Sequence, residues 1–304
     1  MSKVKILIFV GYYLPGYKGG GALRTIVNLV QHLGEEFDFW IVTRDRDLGD
    51  MHSYEGIKVD EWHIVDGAHV CYISPKNTTV KKISRLISNT PHDVLYLNSF
   101  FDPLLTIKPL LARYFFKATK AAVIVAPRGE FSSGALRLKR LKKIIYIAFT
   151  RIFSIYKGVC YQASSIYEAR DIATVLRIPN KKITIAIDLP EKLYSTTTSS
   201  LLQSHNNLSK EGLRVIFLSR ISPKKNLDYA LNVLKGVSSN VQFDIYGPKE
   251  DIDYWTLCLS IIASMPANIA VNYCGSVIPA DIKKTFSQYD LFFFPTHGEN
   301  YGHV

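Results

Sequence analysis

Short, continuously apolar runs separated by longer segments of helical spacing constrain this chain more than any other feature. Val4 to Val10, Phe37 to Thr43, Asp93 to Leu97 and Ala121 to Val125 are apolar at most positions, without strict alternation. Such uniformity suits parallel strands covered on both faces, because neither side of the strand meets water. Between the first two runs, Ala22 to Leu33 sets Leu23, Ile26, Val27, Val30 and Leu33 on one helical face. Residues 103–116 and 134–157 read as further helices. This βαβα rhythm predicts an α/β fold built on a doubly wound parallel sheet.

The rhythm stops at 190–212, where Ser195 to Ser200 and Ser204 to Asn207 form polar stretches without periodicity, as a linker or surface loop would. It then resumes. Leu213 to Leu218, Val241 to Tyr246, Ile269 to Tyr273 and Leu291 to Phe294 read as strands; Leu227 to Val237, 250–264 and Ala280 to Ser287 read as helices. A length of 304 residues fits two such domains, expected at 1–190 and 213–304 with 191–212 between them. After Phe294 the sequence reaches Val304 without the helix that a strand–loop–helix unit needs. The second domain is therefore expected to be truncated, since a sheet edge would stay uncovered.

Composition narrows the setting. No apolar run approaches the ~18–20 residues that span a bilayer, and Met1 to Lys5 leads into a strand without a cleavage site. Cys71, Cys160, Cys258 and Cys274 stand far apart and read as buried thiols of a reducing compartment, which implies a cytoplasmic protein. The net charge of +11 is confined to one half. Residues 1–190 hold 27 Lys/Arg against 16 Asp/Glu, residues 191–304 hold 10 of each, and 102–151 alone hold 11 against 2. Such asymmetry suggests that the first domain faces an anionic partner: a membrane surface, an anionic glycolipid or nucleic acid. Nucleic acid is disfavoured because no aromatic-interleaved basic motif is present.

Three loops carry candidate chemistry. Pro15-Gly16-Tyr17-Lys18-Gly19-Gly20-Gly21 joins a strand to a helix, where glycines let backbone approach an anion and the helix start offers N–H groups. It fits neither the dinucleotide fingerprint nor the P-loop pattern, and a simple glycine turn is the alternative. Ser219-Arg220-Ile221-Ser222-Pro223-Lys224-Lys225-Asn226 follows the first strand of the second domain. Arg220 offers a planar fork and Lys225 a point charge, a pair suited to a diphosphate, against the alternative of a solvated basic loop. Pro295-Thr296-His297-Gly298-Glu299-Asn300-Tyr301-Gly302-His303 places a carboxylate among backbone N–H groups after the last strand. Glu299 there suits the hydroxyls of a sugar; a polar strand-closing loop is the alternative.

The order of these loops, a glycine-rich turn, Arg-x-x-x-x-Lys-Asn and Pro-Thr-x-Gly-Glu-Asn-Tyr-Gly-His, resembles the retaining glycosyltransferases of family four, which have a GT-B fold of two Rossmann-like domains. The resemblance spans nearly the whole chain, and the third motif is its most specific part. It implies a nucleotide-sugar donor bound mainly to the second domain, an acceptor bound to the first, and reaction in the cleft. By motif match, Arg220, Lys225 and Glu299 are the catalytic candidates. Gly20, Gly21, Gly247, Gly298, Asn300, Tyr301 and Gly302 join them in binding the donor. The resemblance implies no cofactor, and no metal, since the two cations meet the diphosphate charge. The family's second Glu, seven residues beyond the first, falls past Val304. Where many members have a His, this chain has Pro127-Arg128-Gly129-Glu130, so Arg128 and Glu130 are acceptor-side candidates, with a structural ion pair as the alternative.

Downstream, Arg137 to Ile144 carries five cations, with Leu138, Leu141, Ile144 and Ile145 on one stripe. The segment reads as a surface helix packed on the sheet, or as one that docks on an anionic membrane. The functional expectation is a glycosyltransferase acting on a surface-glycan or lipid-linked acceptor, in the cytoplasm or at the inner membrane face. A non-catalytic relic or sugar-nucleotide binder, and a sugar-nucleotide epimerase of the same fold, are the alternatives.

Overall fold

A computed structural model describes residues 3–137, 140–192 and 212–298, which form two compact units, one ending at Lys192 and one within 193–299. The linker segment 193–211 lies outside the described residues.

The first unit is an eight-stranded sheet. In chain order its strands are β1 (Val4–Phe9), β2 (Phe37–Arg44), β3 (Trp62–Val65), β4 (Ala68–Ile73), β5 (Val94–Leu97), β6 (Ala122–Val125), β7 (Val159–Ala163) and β8 (Ile183–Ile185). Its spatial order is β3-β4-β2-β1-β5-β6-β7-β8, parallel throughout except for the β3–β4 pair. Both faces are covered, as the apolar runs required. Leu7 and Phe9 enter one core with Val42, Leu95 and Leu110; Ile8 and Val10 enter the opposite core with Leu23, Ile26, Val27 and Phe39. Adjacent residues from Leu7 to Val10 thus point to different layers and all four are buried, which is why the run shows no polar alternation. The helix α1 (Gly21–Leu33) buries Leu23, Ile26, Val27 and Val30, the face its spacing predicted.

The sequence pattern missed several elements. α2 (Val80–Asn89) starts at a Thr79 cap whose hydroxyl accepts from Lys82 N (3.3 Å). α6 (Ile166–Leu176) starts likewise at Ser165. The β3–β4 hairpin turns at Asp66-Gly67, both with positive φ, the Asp-Gly signature of a tight hairpin. Between β5 and β6 the expected helix opens with a π-type turn, Pro103–Ile107, before α3 (Lys108–Phe116). The expected helix over 134–157 is instead α4 (Ser133–Arg137) and α5 (Arg140–Ile152), ending before a turn with Ser154 at positive φ.

The second unit is a four-stranded parallel sheet of β9 (Leu213–Leu218), β10 (Val241–Tyr246), β11 (Ile269–Tyr273) and β12 (Leu291–Phe292), in the order β11-β10-β9-β12. α7 (Leu227–Leu234), α8 (Ile252–Ile262) and the short α9 (Ile282–Phe286) connect them. Phe217, Leu227, Leu231, Phe243 and Trp255 share its core. Both units are Rossmann-like doubly wound sheets.

Two expectations are corrected. Cys160, on β7, and Cys274, in the loop just after β11, are exposed; only Cys71 and Cys258 are buried. The apolar stripe of α5 does not pack on the sheet. Ile147 and Thr150 turn inward, leaving Leu141, Ile144 and Ile145 exposed, while Leu138 lies outside the described residues. Ile8→Ala, which empties space beneath α1, is expected to cost about 2–5 kcal/mol in urea unfolding. Ile145→Ala should change stability by no more than about 0.5 kcal/mol. Equal losses at the two positions would contradict this packing.

Candidate functional site

Strand order locates the crevice in each unit. In the second, the chain runs from β9 outward through β10 to β11, then returns to place β12 on the other side of β9. The strand order thus reverses at β9, and a crevice is expected beyond the carboxyl ends of β9 and β12. The two motif loops of this unit begin there.

The loops are fastened together. Asn226 sits at φ 60°, ψ 39°, and its Nδ2 donates to Pro295 O (2.9 Å). Lys224 O accepts from Thr296 Oγ1 (3.0 Å) and from His297 N (3.0 Å). Lys225 is buried, with its Nζ 5.1 Å from the centre of the Phe294 ring. The cation loop and the start of the Pro-Thr-x-Gly segment thus form one hydrogen-bonded rim. Gly298 ends the described part, with open space where a Cβ would project. Glu299, Asn300, Tyr301 and Gly302 lie outside the described residues.

Gly247 holds the third side of the rim. Its φ of 139° and its close approach to the backbone of Ser219 exclude any side chain, since a Cβ would overlap Ser219 O. Ile221 N donates to Pro248 O (2.9 Å) and Ile221 O accepts from Glu250 N (3.2 Å). The loop after β9 is thereby pinned to the loop after β10. This also explains the state of Arg220: its Nη1 donates to Glu250 Oε1 (2.8 Å), both side chains being about a third exposed. Glu250 was not legible as a partner, because thirty residues separate it from Arg220.

In the first unit the corresponding switch falls between β1 and β5. The glycine-rich loop after β1 is packed rather than slack. Asp47 Oδ2 accepts from Tyr17 N (2.8 Å) and Lys18 N (3.0 Å), and Lys18 Nζ pairs with Asp50 (2.6 Å). Gly20, at φ 68°, ψ −146°, turns the chain into α1, and no side chain caps that end. The first N–H groups of α1 therefore keep their capacity for an anion at Gly20-Gly21.

Arg128 and Glu130 are brought close to this switch but are turned inward. Arg128 donates through Nε to Asn98 Oδ1 (2.7 Å), through Nη2 to Tyr96 Oη (2.6 Å) and through Nη1 to Asp188. Only a tenth of its side chain is exposed. Glu130 Oε1 accepts from Ser99 Oγ (2.7 Å) and Oε2 from Phe100 N (2.6 Å) and Phe101 N (3.2 Å). Burial pushes its pKa above the usual carboxylate value, opposed by these bonds. Arg128 thus makes a buried ion pair with Asp188, and Glu130 holds the loop after β5. Among the described residues no cluster of three or more His, Cys, Asp or Glu could hold a metal ion.

No family model matches the chain. An uncharacterized 41.2 kDa protein in the cps region of Klebsiella pneumoniae is 26% identical over 238 residues, covering 76% of this chain and 62% of that protein. The chain thus spans less than two thirds of that relative. Among solved structures, Anabaena HepE in complex with UDP and glucose aligns with a TM-score of 0.66 at 14% identity, over 99% of this chain and 77% of HepE. Sucrose-phosphate synthase from Thermosynechococcus elongatus aligns at 0.61 and 10% identity, over 99% and 77%. The lipopolysaccharide outer core galactosyltransferase WaaB aligns at 0.52 and 12%, over 98% and 76%. At these identities the likeness establishes a shared fold.

Two substitutions check the geometry. Arg128→Met strands the Asp188 carboxylate and is expected to cost about 3–5 kcal/mol, read from the unfolding midpoint of the first unit. Gly247→Ala should destabilise the second unit while leaving the first unchanged in hydrogen exchange. A neutral Gly247→Ala would show that the approach to Ser219 is loose.

Proposed function

We propose that the protein is a glycosyltransferase that moves a sugar from a nucleotide-diphosphate donor to a surface-glycan or lipid-linked acceptor. The observation that carries this reading is the fastening of the Arg220–Asn226 loop to Pro295–His297 at the switch point of the second unit. The motif resemblance and the fold shared with HepE, which has been solved with UDP and glucose, point the same way.

In this reading the donor diphosphate lies against the rim beyond β9 and β12. Lys225, held against Phe294, contributes a fixed charge. Arg220 exchanges Glu250 for phosphate oxygens, an exchange that its partly exposed position permits. Negative charge grows on the diphosphate as the glycosidic bond breaks, so cations fixed there favour the transition state over the ground state. Retention at the anomeric carbon and a role for Glu299 at the sugar hydroxyls follow from the motif resemblance. So do donor-binding roles for Gly247, Gly298, Asn300, Tyr301 and Gly302. Gly20 and Gly21 provide a further anion-facing backbone surface. The basic first unit is assigned to the acceptor side, and the protein to the cytoplasm. The cations take the place of a metal, and no cofactor is assigned.

Isothermal titration with UDP and GDP tests the assignment. Arg220→Ala and Lys225→Ala should each weaken nucleotide binding about ten- to a hundredfold, the cost of one charge-assisted contact. Binding that is unchanged in both variants would refute the diphosphate site. Adding EDTA should leave the affinity within about twofold, because no divalent ion bridges the phosphates in this arrangement. A larger loss would contradict the metal-free arrangement.

A further inference from the structure

The helix α5 is apolar on both of its faces. Ile147 and Thr150 seat it on the first unit. On the opposite side Leu141 (76% exposed), Ile145 (67%) and Ile152 (77%) line one stripe at i, i+4 and i+11, widened by Ile144 and Phe149. A surface helix of a globular protein normally turns charged and polar residues outward, and a contiguous exposed apolar face marks an interaction surface. Arg140 and Arg151 project to one side of this stripe and Lys142 to the other. From residue 131 to 167 the sequence has seven Lys/Arg and not one Asp or Glu.

We propose that the outer face of α5 docks the protein on an anionic lipid bilayer, with the helix lying in the interface plane. Thirteen residues give a length of about 20 Å, too short to cross the ~30 Å hydrocarbon layer but suited to lying along it. Among the described residues no helix is long and apolar enough to cross a membrane. The large aliphatic and aromatic side chains enter the acyl boundary while the flanking cations stay at headgroup level. Charge selects a bilayer over a second copy of the chain. A two-fold pairing of this face would oppose cation to cation with no acid on the helix itself to separate them. A hydrogen bond from Arg113 Nη1 to Lys157 O (2.9 Å) ties the loop after α5 to the last turn of α3, where Tyr114, Phe115 and Phe116 are also exposed. The docking does not depend on sugar transfer, so each can fail without the other.

Sedimentation with vesicles decides it. The full chain should bind phosphatidylcholine vesicles in which phosphatidylglycerol is about a third of the lipid, and should bind pure phosphatidylcholine at least about tenfold more weakly. Ile145→Asp/Ile152→Asp should lower binding to the anionic vesicles at least about tenfold, with circular dichroism and the thermal midpoint unchanged because both positions are exposed. Arg140→Ala/Lys142→Ala keeps the apolar face and should weaken only the anionic component. The proposal is overturned if the parent chain ignores anionic vesicles, or if the aspartate variant binds them as well as the parent does. It is equally overturned if that variant instead dissociates a dimer seen by ultracentrifugation, which would assign the face to a second copy.

Discussion

The return of β12 to the side of β9 opposite β10 governs the chemistry of the second unit. In a parallel sheet all carboxyl ends lie on one edge, and only a reversal of strand order leaves that edge uncovered by a connecting helix. Here the reversal brings together two segments about seventy residues apart, and three hydrogen bonds through Lys224 O and Asn226 hold them there. These bonds leave the Lys225 side chain committed to the Phe294 side of the rim. Without this fastening the cations would sit on a free loop and lose entropy on binding.

Buried polar groups act differently in the first unit. Arg128, Asp188, Asn98 and Tyr96 form one network in which each member satisfies another, and Glu130 ties the loop after β5 to the loop after β6. Taking such groups out of water is costly unless every partner is present, so the network fixes a single loop geometry. Asp188 belongs to the segment after β8 that also meets α1, where Asn28 Nδ2 donates to Leu189 O (2.8 Å) and His32 contacts Pro190 O (3.0 Å). The loops beyond β1, β5 and β6 are thereby braced from the end of the first unit.

The buried strands were legible because burial on both faces leaves a continuous apolar run; Leu213–Leu218 and Val241–Tyr246 fall where the pattern placed them, as does the more exposed edge strand Ile269–Tyr273. The first unit's edge strands β3 and β8 were not, since they are short and half exposed and carry too little apolar pattern. The one local signal for the hairpin is the Asp66-Gly67 pair. Arg220 and Lys225 could be named from the sequence, whereas Glu250 as the partner of Arg220 could not, because pairing across the sheet has no local pattern. For α5 the periodicity was right but ambiguous. A helix apolar on two faces has no single inward side in its sequence, and only the fold shows that Ile147 and Thr150 take it.

Hydrogen–deuterium exchange with and without UDP tests the central claim most directly, because it reads the rim loops without altering them. Nucleotide is expected to slow exchange at residues 219–227 and 295–298 together, with β10 and β11 unaffected. Protection confined to one of these loops, or appearing elsewhere while both stay unchanged, would contradict it.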